Sequence, residues 1–208
     1  MSNFWKAPLG TFVLCVFPTF SQQAPGITNG QVTPYTEITG KERAKWFVTS
    51  TVGPESLLLA GPWSAGWGVL TSSPKEYPRN WEGFGQRYGM RLTGVVTSNA
   101  MEAALSATWH EDPRYFRMGP ASPFKSRVKH IIVATFTAPG PDGRFRPAYA
   151  RYAAYVGSNF LANTWRVESE ADWQSALVRV ATGFGGRMAG QAFNELWPDV
   201  RRIVFKKP

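Results

Sequence analysis

Two stretches near the C-terminal end repeat one pattern that leaves a chain few ways to fold. From Tyr149, the bulky residues Tyr149, Tyr152, Val156 and Phe160 recur every three or four positions, while Ala150, Ala154, Ser158 and Ala162 recur every four. From Trp173, the bulky series is Trp173, Leu177, Val180, Phe184 and Met188, and the small series is Thr182, Gly186, Gly190 and Asn194. These spacings match the α-helical period. The two series of each helix lie roughly opposite one another, so each helix is expected to pack on both sides. Bulky residues would enter a core, and small residues would meet a neighbour at short distance, the usual device for close helix contact in membranes.

The rest of the chain reads the same way. Thr39 with Glu42 is a capping-box pair opening a helix through Trp46 and Phe47. Pro54 fits the first turn of a second helix, and Pro62 is expected to kink or end it. Trp81, Phe84, Tyr88, Leu92 and Val95 share one helix face, and Met101, Leu105 and Trp109 follow in another phase. The break near Asn99 leaves open two helices or one kinked helix. Ser122 can cap a helix from Pro123. Ala138 to Pro147 (APGPDGRFRP) is a turn or loop, and Trp197-Pro198-Asp199 is expected to end the last long helix. Strand signals are confined to Phe47–Val52 and Ile131–Thr137. The expected fold is mainly α, a compact multi-helix bundle with small-xxx-small helix contacts, following a signal peptide and a polar leader.

The expectation of export comes from the first residues. Lys6 precedes an apolar run, Ala7 to Phe17, with Thr19 and Ser21 at the −3 and −1 positions of a cleavage before Gln22. The run is shorter than the 20 or so residues of a membrane span. The domain boundaries follow: signal peptide 1–21, flexible leader 22–39, helical domain 40–208. Cys15 is the single cysteine, so the mature chain would hold no disulfide, cysteine nucleophile or cysteine metal site.

Composition bounds the function. The net charge of +9 favours acidic partners, but the basic residues are scattered and match no nucleic-acid motif. Nine Trp and a charged fraction of only 18% suit tightly packed helices or a surface beside lipid headgroups. There is no P-loop, Rossmann fingerprint or nucleophile elbow, and His110 and His130 have no ligand-spaced partners. Neither metal nor other cofactor is expected.

The densest polar cluster is His110-Glu111-Asp112-Pro113-Arg114-Tyr115-Phe116. His110, Glu111, Asp112 and Arg114 place an acid, a base and an anion clamp within five residues, and Arg87 is a further candidate for an acidic partner. The competing structural account makes Asp112-Pro113 a helix N-terminus, pairs Arg114 with Glu111, and sends Tyr115 and Phe116 into a core.

Four stretches together carry a resemblance: ERAKWFVTST from Glu42, EGFGQRYG from Glu82, EDPRYF from Glu111 and FNELWPD from Phe193. On these the chain resembles a group of exported, mainly helical bacterial envelope proteins with no established activity, over about residues 40 to 205. The resemblance implies export and a helical domain. The leading functional expectation is a non-enzymatic envelope protein at a membrane or membrane complex, with self-association through the glycine/alanine faces as a further option. The alternatives are a periplasmic module binding an apolar or anionic ligand, and a hydrolase using Glu111 or Asp112 as general acid, which would need a second carboxylate across a cleft.

Overall fold

The computed structural model describes residues 35–53 and 55–204. The expected signal peptide, residues 22–34 of the leader, Pro54 and residues 205–208 of the basic tail lie outside the described residues.

The capping box forms: Thr39 N–H donates to Glu42 Oε2 at 2.8 Å and Glu42 N–H to Thr39 Oγ1 at 3.3 Å, opening α1 (Gly40–Val52). Residues 35–39 of the expected leader are extended and docked, with Ile38 buried. Tyr35 packs so closely on Gly143 that a Cβ at Gly143 would sit 2.8 Å from the ring. A π-helical segment, Glu55–Ala60, leads into α2 (Gly61–Thr71). The new helix starts at Gly61, which puts Pro62 in the first turn, where its missing N–H costs nothing.

The loop after α2 is stapled to α3 (Trp81–Thr108) by one side chain. The Arg87 guanidinium donates to the carbonyls of Ser73, Pro74, Tyr77, Pro78 and Gly83, all at 2.8–3.0 Å. Gly83 is required at this junction, because a Cβ there would lie 1.8 Å from the Pro78 carbonyl oxygen. The phase change near Asn99 does not break α3, which runs unbroken for 28 residues. Asn99 instead reaches across to Thr51 of α1, Nδ2 to Oγ1 at 3.1 Å.

An extended segment then leads to α4 (Phe124–Phe136), whose N-terminus Ser122 does not cap. The expected loop is a small antiparallel hairpin, β1 (Thr137–Pro139) with β2 (Phe145–Pro147), in which Ala138 faces Arg146. Helices α5 (Tyr149–Leu161) and α6 (Trp173–Val204) complete the bundle. Pro198 does not end α6. The helix continues through it, and Arg127 of α4 takes up the nearby Glu195 carbonyl with its guanidinium.

The fold is mainly α, a compact helical bundle. The expectation of two-sided packing holds in part: Phe184 packs on Phe136, Tyr152 and Tyr155 and Met188 on the core at Tyr115, Ile131 and Ala134, while other members of both bulky stripes are exposed. On α5, Ala150, Ala154, Ser158 and Ala162 are buried, while Tyr149, Val156 and Phe160 are exposed. On α6, Gly186 and Gly190 are buried, while Trp173 and Leu177 are exposed. On α3 the buried residues are Gly83, Arg87, Glu102 and Ser106 rather than the Trp81–Val95 face. Small residues point in because they let charged side chains and neighbouring backbones share the interior. The small-residue faces of α5 and α6 are therefore turned to neighbours within the chain.

The centre of the bundle is ionic. Glu102 of α3 accepts from Arg151 Nε of α5 at 3.0 Å and from Arg187 Nη1 of α6 at 2.9 Å, with all three side chains buried. Arg151 Nη1 also closes the end of α4 and the start of β1, donating to the carbonyls of Ala134, Thr135 and Thr137. Burial and the neighbouring Arg187 charge push the Arg151 pKa down, against the pull of Glu102. Removing the shared carboxylate would strand two buried cations, and breaking such a pair typically costs about 3–5 kcal/mol. Glu102→Ala is therefore expected to lower the urea midpoint severely or abolish folding. Replacing Glu102, Arg151 and Arg187 together by apolar residues of similar volume should recover part of that loss, the remainder being the Ala134, Thr135, Thr137 and Pro113 carbonyls left without these donors.

Candidate functional site

Residues 109–119 form no regular helix, so Asp112-Pro113 does not start one, and the cluster at 110–116 is an extended strap across the bundle. Its origin is the end of α3. His110 follows the Trp109 C-cap with φ 54°, the left-handed conformation that usually goes to glycine at this position. Glu111 N–H then bonds back to the Ser106 carbonyl at 2.9 Å, which reverses the chain and starts the strap. The His110 ring stays largely exposed, its Nδ1 3.2 Å from Glu37 Oε1.

From there successive residues go to different elements. Glu111 is buried and reaches α5, whose Ala148 N-cap offers no side-chain bond. Glu111 Oε2 accepts the Ala150 N–H at 3.1 Å and so serves as the missing cap. Burial pushes the Glu111 pKa up, and the backbone N–H groups of Ala150 and Tyr149 oppose the shift. Asp112 is fully buried and held by Arg114, Nε to Oδ1 at 2.9 Å and Nη2 to Oδ2 at 2.6 Å, with the Tyr35 hydroxyl donating at 3.2 Å. Arg114 pairs onward with Glu42 at 3.2 Å rather than with Glu111. Arg187 Nη2 donates to the Pro113 carbonyl at 2.8 Å.

The far end of the strap closes on one carboxylate. Fully buried Glu195 of α6 accepts from Tyr115 Oη at 3.0 Å, Met118 N–H at 3.1 Å, Gly119 N–H at 2.9 Å and Arg127 Nε at 3.0 Å. Burial and the Glu195 charge raise the Tyr115 pKa, so its hydroxyl stays a donor. Arg127 is shared with Asp199 one turn further along α6.

The strap therefore does not converge His110, Glu111, Asp112 and Arg114 on one point. His110 faces out, Glu111 faces α5, and Asp112 with Arg114 faces the start of α1. Arg87 lies on α3 more than twenty residues earlier, about 30 Å along the helix, with its donors taken by the loop it staples.

One concave site does include the strap. A cleft of about 450 Å³ lies between the strap and the hairpin, lined by Trp109, Glu111, Ala138, Gly140, Pro141, Arg146, Pro147 and Tyr149. Glu111 is its one carboxylate, so the paired-carboxylate geometry of a glycosidase is not present in this lining. Arg146 at the rim is held by Asp142, Nη2 to Oδ2 at 2.8 Å. A second depression of about 380 Å³ between α1 and α3 is lined by Gly40, Arg43, Ala44, Phe47, Ala100, Ala103 and Ala104. Among the described residues no group of three or more His, Cys, Asp or Glu could hold a metal ion.

Sequence reasoning passed over Trp109, Arg146 and Tyr149 of the cleft, and the partners Glu102, Arg127, Arg151, Arg187 and Glu195. A usable signal existed for some of these. Glu102 shares a phase with Ser98 and Ser106, and Arg187 and Gln191 lie beside Gly186 and Gly190. A charge on the small stripe of a helix is a charge placed inside. No family model, curated protein or solved structure matches this chain.

Two outcomes follow from the strap. Tyr115→Phe removes a buried donor to a carboxylate and is expected to cost about 1.5–3 kcal/mol in urea unfolding, with no change in helical content. For Glu111, a raised folded-state pKa means the folded protein holds that proton more tightly than the unfolded chain. The resulting stability is complete below the unfolded pKa and is lost as pH rises through the folded one. Glu111→Gln keeps an acceptor for Ala150 N–H without the charge. Its Tm relative to the parent protein should therefore improve between pH 4 and pH 7, and a flat difference would rule out a buried ionisable cap.

Proposed function

We propose that the protein is an exported helical component of the cell envelope, held at a membrane or membrane complex by its outward apolar faces. The observation that carries this reading is the inverted distribution of side chains. The largest fully buried side chains include Gln191, Glu102, Glu195 and Asp112, whereas Trp63, Trp67, Trp81, Trp109, Trp173 and Trp197 are exposed. Water-facing bundles normally bury large apolar residues and leave charges in solvent. A chain that pairs carboxylates with guanidinium groups in its interior and turns these six tryptophans outward suits an apolar or interfacial surrounding, where Trp and Tyr are enriched. No helix among the described residues is long and apolar enough to cross a membrane.

The export part of the proposal rests on the N-terminal sequence and on the resemblance to exported envelope proteins. A ligand-binding role is the second reading, favoured by the cleft beside Glu111 with its aromatic walls. Arg114 does not line that cleft, so an anionic ligand would meet Arg146 instead.

Fractionation of the native envelope with an alkaline-carbonate wash tests the proposal. The expected result is retention in the membrane pellet, with Gln22 as the first residue by mass. A freely soluble, monomeric mature protein without detergent would overturn it and turn attention to the cleft.

A further inference from the structure

The proposed membrane association does not say which face makes the contact, and the structure distinguishes one. Among the six described α-helices, α2 alone carries no charged residue, and the run from Ser56 to Pro74 has none. Its small residues Gly61, Ala65 and Gly68 are buried at spacings of four and three. A Cβ on Gly61 would sit 2.4 Å from the Tyr88 ring, and one on Gly68 would sit 2.7 Å from Arg87 Cδ, so this side is pressed onto α3. The opposite side presents Trp63, Trp67 and Leu70 at the same spacing, 64%, 39% and 70% exposed. Leu58 before the helix is 70% exposed, and Trp81 beyond it is 86% exposed.

Both signs of charge border this patch, with Lys75 and Arg79 beside the exposed Glu76 and Glu82. Lys75 and Arg79 are exposed just beyond the charge-free run. Arg79 Nη2 donates to the Leu70 carbonyl at 2.7 Å, which sets a cation at the C-terminal end of the apolar face. The nearby Glu76 is turned aside to Ser169, its Oε2 accepting the hydroxyl at 2.6 Å. Indole rings with a polar N–H on an apolar body, with Lys75 and Arg79 at one end, match the headgroup region of a bilayer better than the dry interior of a dimer. At 11 residues, α2 is about 16 Å long, the scale of a helix lying in the interface plane.

We infer that the outer face of α2, with Leu58 and Trp81 at its margins, is the surface that inserts into the headgroup region of a phospholipid bilayer. This rests on the membrane reading above and names the contact within it.

The test uses the purified mature protein with vesicles of phosphatidylethanolamine and phosphatidylglycerol, some carrying brominated acyl chains. Binding is read by co-sedimentation and by tryptophan emission. Trp63→Glu with Trp67→Glu alters the proposed face, and Trp173→Glu with Leu177→Glu alters an exposed face of α6. All four side chains are exposed, by 39% to 64%, and circular dichroism checks that the variants fold. The expected result is a blue shift and bromine quenching in the parent protein, more than about tenfold weaker binding in the α2 variant, and binding retained in the α6 variant. Loss in the α6 variant alone would overturn the assignment of α2 while leaving membrane association intact. No vesicle binding by the parent protein, with a dimer that the α2 variant dissolves, would overturn both in favour of self-association.

Discussion

A single carboxylate, Glu102, lies where three helices meet, and the bundle is arranged around keeping it paired. Arg151 and Arg187 both reach it, each from a helix whose neighbouring positions are small. That smallness has a physical reason. A guanidinium brought inside loses its hydration, and only several hydrogen bonds at good geometry offset the loss. Arg151 finds its remaining acceptors on the carbonyls at the end of α4, and Arg187 finds one on Pro113 of the strap. Bulky side chains between the helices would hold the backbones too far apart for these contacts.

The same logic explains why the strap is the densest polar stretch in the chain. It crosses the bundle without a helical ladder of its own, so its backbone groups need partners elsewhere. Glu195 takes the N–H groups of Met118 and Gly119, Arg187 takes the Pro113 carbonyl, and His130 Nε2 lies 2.6 Å from the Phe116 carbonyl. Glu111, Asp112 and Arg114 look like a reaction centre when written side by side. In an extended segment, neighbouring side chains point in different directions, and here Glu111 secures α5 while Asp112 and Arg114 together secure the start of α1. What is left for binding is the cleft behind Glu111 and the apolar outer faces, of which α2 is the most uniform.

Much of the architecture was legible in the chain itself. The capping box at Thr39, the helical periods and the turn at Ala138 to Pro147 are local signals, and local hydrogen bonding made them come true. The errors have long-range causes. The phase change near Asn99 reads as a break or kink, but the helix runs on and Asn99 meets Thr51 across the bundle. Pro198 reads as a stop, but Arg127 satisfies a carbonyl beside it and the helix continues.

The sequence by itself determined that the chain is a bundle of helices, the last two each with one small and one bulky stripe, because periodicity depends only on the order of residues. It did not determine which face is inside. A bulky apolar stripe ordinarily points to a core, and that inference holds when water is the competing environment. Only the tertiary structure revealed that Glu102, Glu195, Arg127, Arg151 and Arg187 pair with one another across distances of tens of residues. Once those charges are paired inside, the small faces turn inward to admit them, and six tryptophans, Trp63, Trp67, Trp81, Trp109, Trp173 and Trp197, are left exposed while Trp46 stays buried.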